Sequence, residues 1–385
     1  MPRLAVLTTH PIQYHAPVYR ILAGMAGVDL KVFFGCAQGT RPTHDPNFGV
    51  VFKWDVDLTT GYAHDFLSRE DIEVLATLSA LPLAWQAARA IQRFNPDYVL
   101  IMNYSPLFIR LGTWFCKLHG QKLLLRAETA DFTRSRSTIL SLLRRAGLTL
   151  HYKLFRNVFP IGTKSAEHYA HHGVPRGKMK TALYCADSDF LDQQAGHWLP
   201  QRDSLRASHA IPPEHFVLLY SGKMFPPKNP FLIPHALAYL PPELLSRCWL
   251  VALGDGQMKK LFETECRKVL GERIIFTGFK NQTEIGSYFA LADALILPSS
   301  TGETWGIVIH EALRYQLRAI ASDRVGSAYD LLQDLPQGFV FPSGDAAALA
   351  HTIQKAMDVP RPTAPPPLPH PQNLADALCQ IMLQS

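Results

Sequence analysis

Short apolar runs alternate with segments of helical periodicity along most of the chain. In the first half, the strand-like runs are Leu4–Thr9, Leu30–Phe34, Tyr98–Met102 and Lys122–Arg126. After a polar stretch at 187–213, the pattern restarts with Phe216–Ser221, Trp249–Gly254, Ile274–Phe279, Ala294–Ser299 and Arg318–Ser322. Short β runs separated by helices are typical of right-handed βαβ units and a parallel sheet. The pattern therefore predicts an α/β protein with two Rossmann-like, doubly wound parallel-sheet domains.

The weak middle stretch and the proline-rich end of the chain set the predicted domain limits. We expect a first domain over 1–190, a linker over 191–213 and a second domain over 214–358. Residues 359–372 are rich in proline, which predicts an extended tether. The residues beyond it place apolar side chains on one helical face, namely Leu374, Ala377, Leu378, Ile381 and Met382. We expect the final segment, 359–385, to cross back and pack its helix on the first domain.

Composition narrows the class of protein. Of 385 residues, 47% are hydrophobic and 18% are charged, which is typical of a globular chain and not of a disordered one. The net charge of +6, from 38 basic and 32 acidic residues, suits a phosphate-bearing ligand but is small for a nucleic-acid binder. Six scattered cysteines without a CxxC pair indicate a reducing compartment. Since we find neither a signal-like start nor a membrane-spanning apolar run, we expect a soluble cytoplasmic protein.

The stretch Ser299–Leu313, with the sequence SSTGETWGIVIHEAL, carries the clearest chemistry. It follows a predicted buried strand and is expected to open a helix near 305–307. The free N–H groups of a helix start form a site for an anion such as a diphosphate. Glu303 and Glu311 can each accept two hydrogen bonds from the hydroxyls of a sugar or a ribose. For either glutamate alone, a helix cap or a partner of the helix dipole remains the alternative.

The same stretch resembles a known family. Glu303 and Glu311 reproduce the E-x7-E motif of the retaining GT-B glycosyltransferases of family 4, the glycosyl transferases group 1. Further blocks that resemble the family are ALYCADSDFL at 182–191, YSGKMFPPKNP at 220–230, GDG at 254–256 and IIFTGFKNQTEIGSYFALAD at 274–293. The chain departs from the family at Trp305, where phenylalanine is usual, and at Tyr184 and Cys185, which replace an Asn-Gly pair.

The resemblance implies a GT-B fold, with two domains facing across a cleft, and a donor site in the second domain. Lys223 and Lys228 would neutralise the donor diphosphate as its bond to the sugar breaks, a stabilisation that is often the largest in catalysis. Glu303 would hold the hydroxyls of the donor sugar, and Glu311 those of the ribose. Other donor contacts are expected from Gly222, Gly254, Gly278, Phe279, Thr304, Trp305 and Gly306. The alternatives are a pair of solvated surface lysines and a plain GDG turn.

Polar residues follow the strands predicted in the first domain, at the edge where ligands of such sheets bind. The candidates for lining the acceptor side of the cleft are His10, Gln13, Tyr14, His15, Asn103 and Arg126. Arg126 and Glu128 stand where the resembling family often has a histidine near the donor sugar. Glu128 is the catalytic candidate in this domain, because it would orient the acceptor hydroxyl. A purely structural Arg–Glu pair is the alternative.

A basic stretch and three histidines lie at the end of the first domain. Residues 132–166 lack acidic side chains, and basic residues alternate with leucines there. A basic amphipathic face over 133–164 would contact an anionic membrane surface, and the alternative is a packed helix pair with a solvated basic side. His168, His171 and His172 show no evident Cys or carboxylate partner. We therefore expect surface histidines at a helix end, no metal site and no cofactor.

These features and the resemblance together predict a metal-independent glycosyltransferase, and the resemblance implies that it retains the configuration of the sugar. It would move a sugar from a nucleotide-sugar, with a UDP-sugar favoured, to a hydroxyl of a glycan, a glycolipid or a small natural product. The expected partners are that donor and that acceptor, with peripheral membrane contact through 133–164 and no nucleic acid. The alternatives are a non-catalytic nucleotide-sugar-binding protein and another GT-B enzyme, such as a phosphorylase or an epimerase.

Overall fold

The computed structural model describes residues 1–45, 50–69, 72–131 and 138–383. Among these residues, the strands form two six-stranded sheets, whose strands all run parallel, and one two-stranded antiparallel hairpin. Helices connect the parallel strands, as the alternating pattern predicts. The predicted α/β class with two doubly wound parallel sheets is therefore confirmed.

The first sheet lies in the N-terminal part of the chain. Its strands and the hairpin are Arg3–Thr8 (β1), Asp29–Phe34 (β2), Thr43–Asp45 (β3), Val50–Phe52 (β4), Ala63–Phe66 (β5), Tyr98–Met102 (β6), Leu123–Arg126 (β7) and Phe155–Val158 (β8). The helices between them are Ala16–Gly24 (α1), Ala80–Phe94 (α2), Leu107–Leu118 (α3), Thr138–Tyr152 (α4) and Thr163–His171 (α5), with 3-10 turns at Ile72–Ala76 and Arg176–Lys178. The sheet order is β5-β2-β1-β6-β7-β8, and β3 pairs with β4 outside it.

The second sheet repeats this order. Its strands are Phe216–Ser221 (β9), Cys248–Leu253 (β10), Ile274–Gly278 (β11), Ala294–Leu297 (β12), Arg318–Ser322 (β13) and Gly338–Phe341 (β14). The helices are Ser188–Trp198 (α6), Arg202–Ser208 (α7), Leu232–Leu237 (α8), Pro242–Leu245 (α9), Lys259–Leu270 (α10), Gln282–Leu291 (α11), Val308–Arg314 (α12), Ala328–Leu331 (α13), Ala346–Asp358 (α14) and Pro371–Leu383 (α15), with 3-10 turns at Leu199–Gln201 and Pro226–Lys228. The strand order is β11-β10-β9-β12-β13-β14.

In each sheet the strand order reverses at one point. The reversal lies between β1 and β6 in the first sheet, and between β9 and β12 in the second. Strands β6 and β12 are buried along their whole length, because helices cover both faces of a parallel sheet. Ligands of doubly wound sheets bind outside the carboxyl ends of the strands at such a reversal. The loops after β1, β6, β9 and β12 therefore position the site.

The stretch 191–213, expected as a linker, is helical and packs on the second sheet. It contains most of α6 and all of α7, and Leu191, Ala195 and Ile211 share a buried core with Val217 of β9. Arg202 of α7 donates from Nη2 to Oδ1 of Asp293 at 2.7 Å, which anchors the helix beside β12. Only one face of each helix is apolar, which explains why the hydrophobic pattern weakens there.

The end of the chain returns to the first domain. Residues after α14 run along the second domain, where Arg361 donates from Nη2 to the carbonyl of Tyr315 at 3.0 Å. Helix α15 then packs against α1, and its Leu374 and Leu378 share a core with Leu22. The apolar face that is visible in the sequence of α15 is the face buried in this contact.

Two sets of contacts hold the domains together on either side of the cleft. On one side, Asp55 accepts from the backbone N–H groups of Gln282 and Thr283 at 3.1 and 3.0 Å, at the start of α11. On the other, the backbone N–H of Thr163 donates to Oδ2 of Asp330 at 3.0 Å. The carboxyl edges of the two sheets therefore face each other.

Candidate active site

An ion pair lies at the reversal point of the second sheet. Lys228 follows β9 and contacts Oε2 of Glu303, which follows β12. The hydroxyl of Ser299 donates to the same carboxylate oxygen at 3.0 Å. The two loops are joined by a hydrogen bond from the backbone N–H of Ser300 to the carbonyl of Pro227, at 2.8 Å. The side chains of Lys228 and Glu303 are both largely buried, and their opposite charges compensate each other where little water can solvate them.

This pair can exchange partners. An incoming anion can take Lys228, and incoming hydroxyls can take Glu303, without leaving either charge unpaired. Lys223 lies in the same loop, where its carbonyl accepts from the hydroxyl of Tyr220 at 2.8 Å. The structure therefore brings a second cation into the loop that carries Lys228, as the sequence predicts for a site that binds phosphate.

The glycines of the neighbouring loops allow the backbones to approach closely. A Cβ on Gly254 would lie 2.1 Å from the carbonyl oxygen of Gly222, and φ of Gly254 is +131°. A Cβ on Gly256 would lie 2.5 Å from the carbonyl oxygen of Met224. The GDG turn therefore packs the loop after β10 against the loop after β9, and in this way it supports the segment that carries Lys223 and Lys228.

The turn after Glu303 leads into α12, which begins at Val308, just after the predicted window. The backbone N–H of Thr304 donates to the carbonyl of Gly302 at 3.1 Å. Gly306 has φ of +87°, and a Cβ there would lie 2.7 Å from Cγ1 of Val325. The ring of Trp305 is buried against Gly162 of the first domain, where a Cβ would lie 2.2 Å from it. The indole ring therefore contacts the first domain, and only the backbone of Trp305 can contact a ligand.

Glu311 lies in α12 and faces the first domain. It is only 4% exposed, and Oε1 accepts from the hydroxyl of Tyr14 at 3.2 Å. Burial raises the pKa of Glu311 to about 7, and the hydrogen bond from Tyr14 acts in the opposite direction. Both residues line a cavity of about 390 Å³, together with Gln13 and Gln282. A cavity of this size and lining suits a nucleoside.

The predicted base-binding turn is covered by the first domain. Gly278 has φ of +70°, and its carbonyl accepts from the backbone N–H of Gly254 at 3.0 Å. The ring of Phe279 lies 4.4 Å from that of Phe52 in β4, measured between centroids. Asn281 donates to the carbonyl of Lys53 at 2.6 Å. Segment 52–55 therefore packs directly on the turn between β11 and α11.

The first domain gathers several predicted residues around one small cavity of about 20 Å³, which is room for about one water molecule. Its polar lining includes His15, Asn103, Arg126 and Glu128, and a residue that sequence analysis missed as a contact, Tyr184. The other first-domain candidates lie apart from this cavity: Gln13 and Tyr14 face the larger cavity beside Glu311, and Nδ1 of His10 lies 2.9 Å from Oγ1 of Thr9.

Burial determines the electrostatics of this cluster. It lowers the pKa of His15 to about 3, with the nearby positive Arg126 acting in the same direction, so His15 is neutral at physiological pH. Burial also raises the pKa of Glu128, and the charge of Glu303 across the cleft raises it further. Arg126 donates from Nη1 to the carbonyl of Ala182 at 2.8 Å, and its guanidinium lies 5.7 Å from the ring centre of Tyr184. Glu128 and Glu303 thus approach each other from opposite domains.

Three contact residues were not expected from the sequence. Tyr184 hydrogen bonds to His15 at 3.2 Å, and the only signal for it was its departure from the Asn-Gly pair of the resembling family. Asp55 and Asp330 cap backbone groups of the opposite domain. Neither lies in a motif, because a capping carboxylate in another domain leaves no local pattern.

Comparison with known proteins identifies the second half of the molecule. Residues 201–366 match the model of the family described as glycosyl transferases group 1. We call this range, which is similar to that family, the group 1 domain. The matched range contains both halves of the ion pair, Lys228 and Glu303, and also Lys223 and Glu311.

Relatives and solved structures extend this result to the fold of the whole chain. The chain is 26% identical over 163 residues to the D-inositol 3-phosphate glycosyltransferase of Streptomyces bingchenggensis, over 40% of this chain and 35% of that protein. It spans about two fifths or less of the length of the curated relatives it matches. Sucrose-phosphate synthase from Thermosynechococcus elongatus has a TM-score of 0.67 and 18% identity, over 100% of this chain and 97% of that one. Anabaena Alr3699/HepE, solved in complex with UDP-glucose, has a TM-score of 0.66 and 15% identity, over 100% and 99%. The chain therefore has the GT-B fold.

Between the group 1 domain and the first domain lies a cleft of about 1240 Å³. The first domain lines it with Asp131, Arg144, Arg145 and Lys164, and the group 1 domain with Thr304 and Arg324. The cleft extends from the turn beside Glu303 toward α4 and α5. It is large enough for a ligand bigger than the nucleoside cavity admits.

The histidines of α5 differ from the prediction. His168 and His172 are buried, with 1% and 3% exposure, and do not lie on the surface. They face α4, where the hydroxyl of Tyr152 lies 2.8 Å from Nε2 of His168. A carboxylate partner also exists, because Oδ1 of Asp131 lies 2.9 Å from Nδ1 of His168. The expectation of surface histidines without such a partner is therefore wrong for these two residues.

In the described part of the basic stretch, Thr138–Tyr152 form α4, Phe155–Val158 form β8, and α5 begins at Thr163. Arg134 and Arg136 lie outside the described residues. Within α4, Leu142, Leu143 and Leu150 are exposed. Of the helices in the described ranges, none has the length and apolar character that spanning a bilayer requires.

Proposed function

We propose that this protein is a glycosyltransferase that moves a sugar from a nucleotide-sugar to a hydroxyl of an acceptor. The observation that carries the proposal is the Lys228–Glu303 pair at the reversal point of the second sheet, next to Ser299. A cation and a carboxylate at this position suit a ligand that carries a diphosphate next to a sugar. Glu311, which lies in the adjacent helix α12, faces a cavity large enough for a nucleoside.

Donor binding, in this proposal, is an exchange of partners. The diphosphate takes Lys228 from Glu303, and the hydroxyls of the sugar take the freed carboxylate. The hydroxyls of the ribose take Glu311 from Tyr14. A UDP-sugar is the favoured donor, because the HepE structure that shares the fold of this chain was solved with UDP-glucose.

The transfer itself is proposed to retain the configuration at the anomeric carbon. The oxygen of the acceptor hydroxyl bonds to that carbon from the face that the diphosphate leaves, and the bond from carbon to phosphate oxygen breaks. The proton of the hydroxyl passes to the departing phosphate oxygen. Lys223 and Lys228 stabilise the negative charge that collects on the diphosphate. Because these ammonium groups provide the stabilisation, the proposed step needs neither a metal ion nor a cofactor.

Glu128 is proposed to orient the acceptor. Glu128 lies in the first domain, close enough to Glu303 for the charge of Glu303 to raise the pKa of Glu128. An acceptor hydroxyl between these two carboxyl groups can donate a hydrogen bond to Glu128 while its oxygen faces the donor sugar. The cleft of about 1240 Å³ leaves room for the remainder of the acceptor.

The exposed face of α4 suggests where an acceptor in a lipid could be reached. Leu142 and Leu150 line a surface groove together with Arg145 and Lys153. Leucines flanked by cations suit the interface of an anionic membrane. We therefore propose peripheral contact of α4 with the inner face of the cytoplasmic membrane, and a glycan, a glycolipid or a small molecule as the acceptor.

Donor turnover tests the proposal. Nucleotide-sugars are screened by the shift they cause in the melting temperature, and the best stabiliser is then assayed for release of the nucleotide and for a glycosylated product. Glu303→Ala should lower turnover by about 10²-fold or more while the fold survives. The control is Glu272→Ala, which removes an exposed carboxylate of the same domain.

Three results would favour the alternatives. Saturable binding of a nucleotide-sugar without any turnover would support a non-catalytic binding protein. Interconversion of the donor sugar without transfer would support an epimerase, and release of a sugar phosphate from a glycan would support a phosphorylase. Equal turnover of Glu303→Ala and Glu272→Ala would contradict the assigned site.

A further inference from the structure

Asp131, His168 and His172 form a compact group on the first-domain wall of the cleft. One ligand atom from each lies within 4.8 Å of the others. His168 lies in α5, and His172 directly follows the last residue of that helix, where its backbone N–H still donates to the carbonyl of His168 at 3.1 Å. This helical spacing of four residues brings two imidazoles onto one ion. Asp131 reaches the same point from the loop after β7. We propose that these three residues bind a divalent transition metal ion, with Zn²⁺ as the favoured occupant.

The hydrogen bonds around the imidazoles support this assignment. Nδ1 of His172 lies 2.8 Å from the carbonyl oxygen of His168 and donates to it. The lone pair on Nε2 of His172 can therefore bind a metal ion. Nε2 of His168 lies 2.8 Å from the hydroxyl of Tyr152, which leaves Nδ1 for the group. Histidine ligands of metals are commonly oriented through their second ring nitrogen in this way.

The spacing of the ligand atoms also suits an ion. The side chain of His168 is fully buried, and its Nδ1 lies 2.9 Å from Oδ1 of Asp131 without the alignment of a hydrogen bond. Two ligand atoms that are each about 2.0 Å from a tetrahedral ion lie about 3.3 Å apart. The pair therefore needs to open by only a few tenths of an ångström to admit the ion.

Two imidazoles and one carboxylate are a ligand set typical of Zn²⁺ sites that keep one position open. All three residues line the cleft of about 1240 Å³, so the open position faces the space proposed for the acceptor. Arg144 lies 3.7 Å from the carboxylate of Asp131 and would lose this weak contact to the ion. A phosphate or hydroxyl oxygen of a ligand in the cleft would complete the coordination.

This site is separate from the proposed chemistry of the diphosphate. The charge of the diphosphate is assigned to Lys223 and Lys228 of the second domain, whereas the metal group lies entirely in the first. Metal binding can therefore be tested without any turnover assay, and a failure of one proposal leaves the other standing.

The test is metal binding by full-length protein without an affinity tag, after treatment with a chelator. Zn²⁺ is titrated by calorimetry, and Co²⁺ by the visible absorption that a four- or five-coordinate nitrogen and oxygen site gives. We expect one equivalent per chain and a higher melting temperature with Zn²⁺. His172→Ala and Asp131→Asn should each weaken Zn²⁺ binding by about 10-fold or more.

His171→Ala is the matched control. His171 also lines the cleft and neighbours His172 in sequence, but it is not in the group, so its variant should bind Zn²⁺ like the wild type. A single cooperative melting transition without added metal, at a temperature close to that of the wild type, reports that each variant is folded. No saturable binding at one equivalent, unchanged binding in both His172→Ala and Asp131→Asn, or an equal loss in His171→Ala would overturn the proposal.

Discussion

The carboxyl edges of the two sheets face each other but are built in opposite ways. On the second sheet, charges stand in pairs of opposite sign: Lys228 with Glu303, and Lys259 with Asp255 at 2.7 Å. On the first sheet, the ionisable groups around the small cavity are buried among aromatic rings and backbone carbonyls, and burial is the main cause of their shifted pKa values, as for Glu128. The pair of Asp131 and His168 lies farther along the loop after β7. The two edges share a topology, so the difference between them lies in the loops.

This difference matches the two ligands of a transfer reaction. Paired charges can be handed to a charged ligand at little cost, because each partner is replaced by another of the same sign. A buried edge suits a neutral hydroxyl, and burial excludes the water that would compete as an acceptor. The charged edge is thus suited to the donor and the buried edge to the acceptor, and four variants test this division.

Lys228→Ala should have the largest effect. It removes a cation from the leaving diphosphate and leaves Glu303 without its partner, so kcat/KM should fall by about 10²-fold or more. Steady-state kinetics with the best donor measure this loss. Lys268→Ala is the control, because Lys268 forms an exposed pair with Glu265 at 2.7 Å on the same domain. Similar kinetics for the two variants would remove the charged edge from the mechanism.

Glu311→Gln should separate stability from donor binding. Burial raises the pKa of Glu311 to about 7 from an ordinary value of 4.5. Because the folded pKa is the higher one, the folded state holds the proton more tightly. The stability that this provides is complete below 4.5 and is lost as the pH rises through about 7.

The neutral glutamine avoids this loss. Glu311→Gln should therefore raise the free energy of unfolding above that of the wild type by about 1–3 kcal/mol at about pH 8, and by much less at about pH 5. Affinity for UDP should fall in the same variant, since one carboxylate oxygen is lost to the ribose. Denaturant unfolding at the two pH values and calorimetry with UDP measure both effects. A gain in stability that does not depend on pH would show that Glu311 is not the titrating group.

The sequence named candidates on both edges, but only for the charged edge did it indicate which of them lie close together. Ser299, Glu303 and Glu311 lie within fifteen residues, and a short motif next to a strand is visible without knowledge of the fold. The buried cluster draws His15, Asn103, Arg126 and Tyr184 from four distant segments, which only the sheet brings together. The burial of His168 was also invisible, because it depends on packing against Tyr152.

The fold shows the same contrast between inner and outer strands. The inner strands, such as YVLIM in β6, are continuous apolar runs and were predicted at nearly their observed limits. Of the outer strands of the two six-stranded sheets, β5, β8 and β14 were not predicted, whereas β11 was. The sequences of β5 and β8, AHDF and FRNV, mix polar with apolar positions, and that of β11 opens with the apolar run IIF. An outer strand with a partner on one side needs less hydrophobic sequence than a central one.

Glu128→Gln tests the buried edge directly. The amide keeps the size of the side chain but has one oxygen fewer to accept a hydrogen bond. It should therefore orient the hydroxyl of the sugar or lipid substrate less well, and kcat should fall by about tenfold. Affinity for UDP should stay unchanged, because Glu128 belongs to the opposite domain. If UDP binding weakened as much as in Lys228→Ala, the division between donor and acceptor edges would fail. Lower stability with unchanged kcat would instead support a structural Arg126–Glu128 pair.

Tyr14→Phe should have the smallest effect and the opposite sign. The hydroxyl of Tyr14 crosses the cleft to donate to Glu311 at 3.2 Å, and it competes with the ribose for that carboxylate. Without this hydroxyl, Glu311 loses a hydrogen bond in the free protein but not in the complex with UDP, where the ribose takes its place. UDP should therefore bind more tightly, by about two- to tenfold. Calorimetry with UDP on Tyr14→Phe and on Tyr288→Phe, a control at a half-buried tyrosine of α11 that lies beside His209, measures the difference. Weaker binding in Tyr14→Phe would mean that Tyr14 contacts the donor itself, and the first domain would then contribute to both ligands.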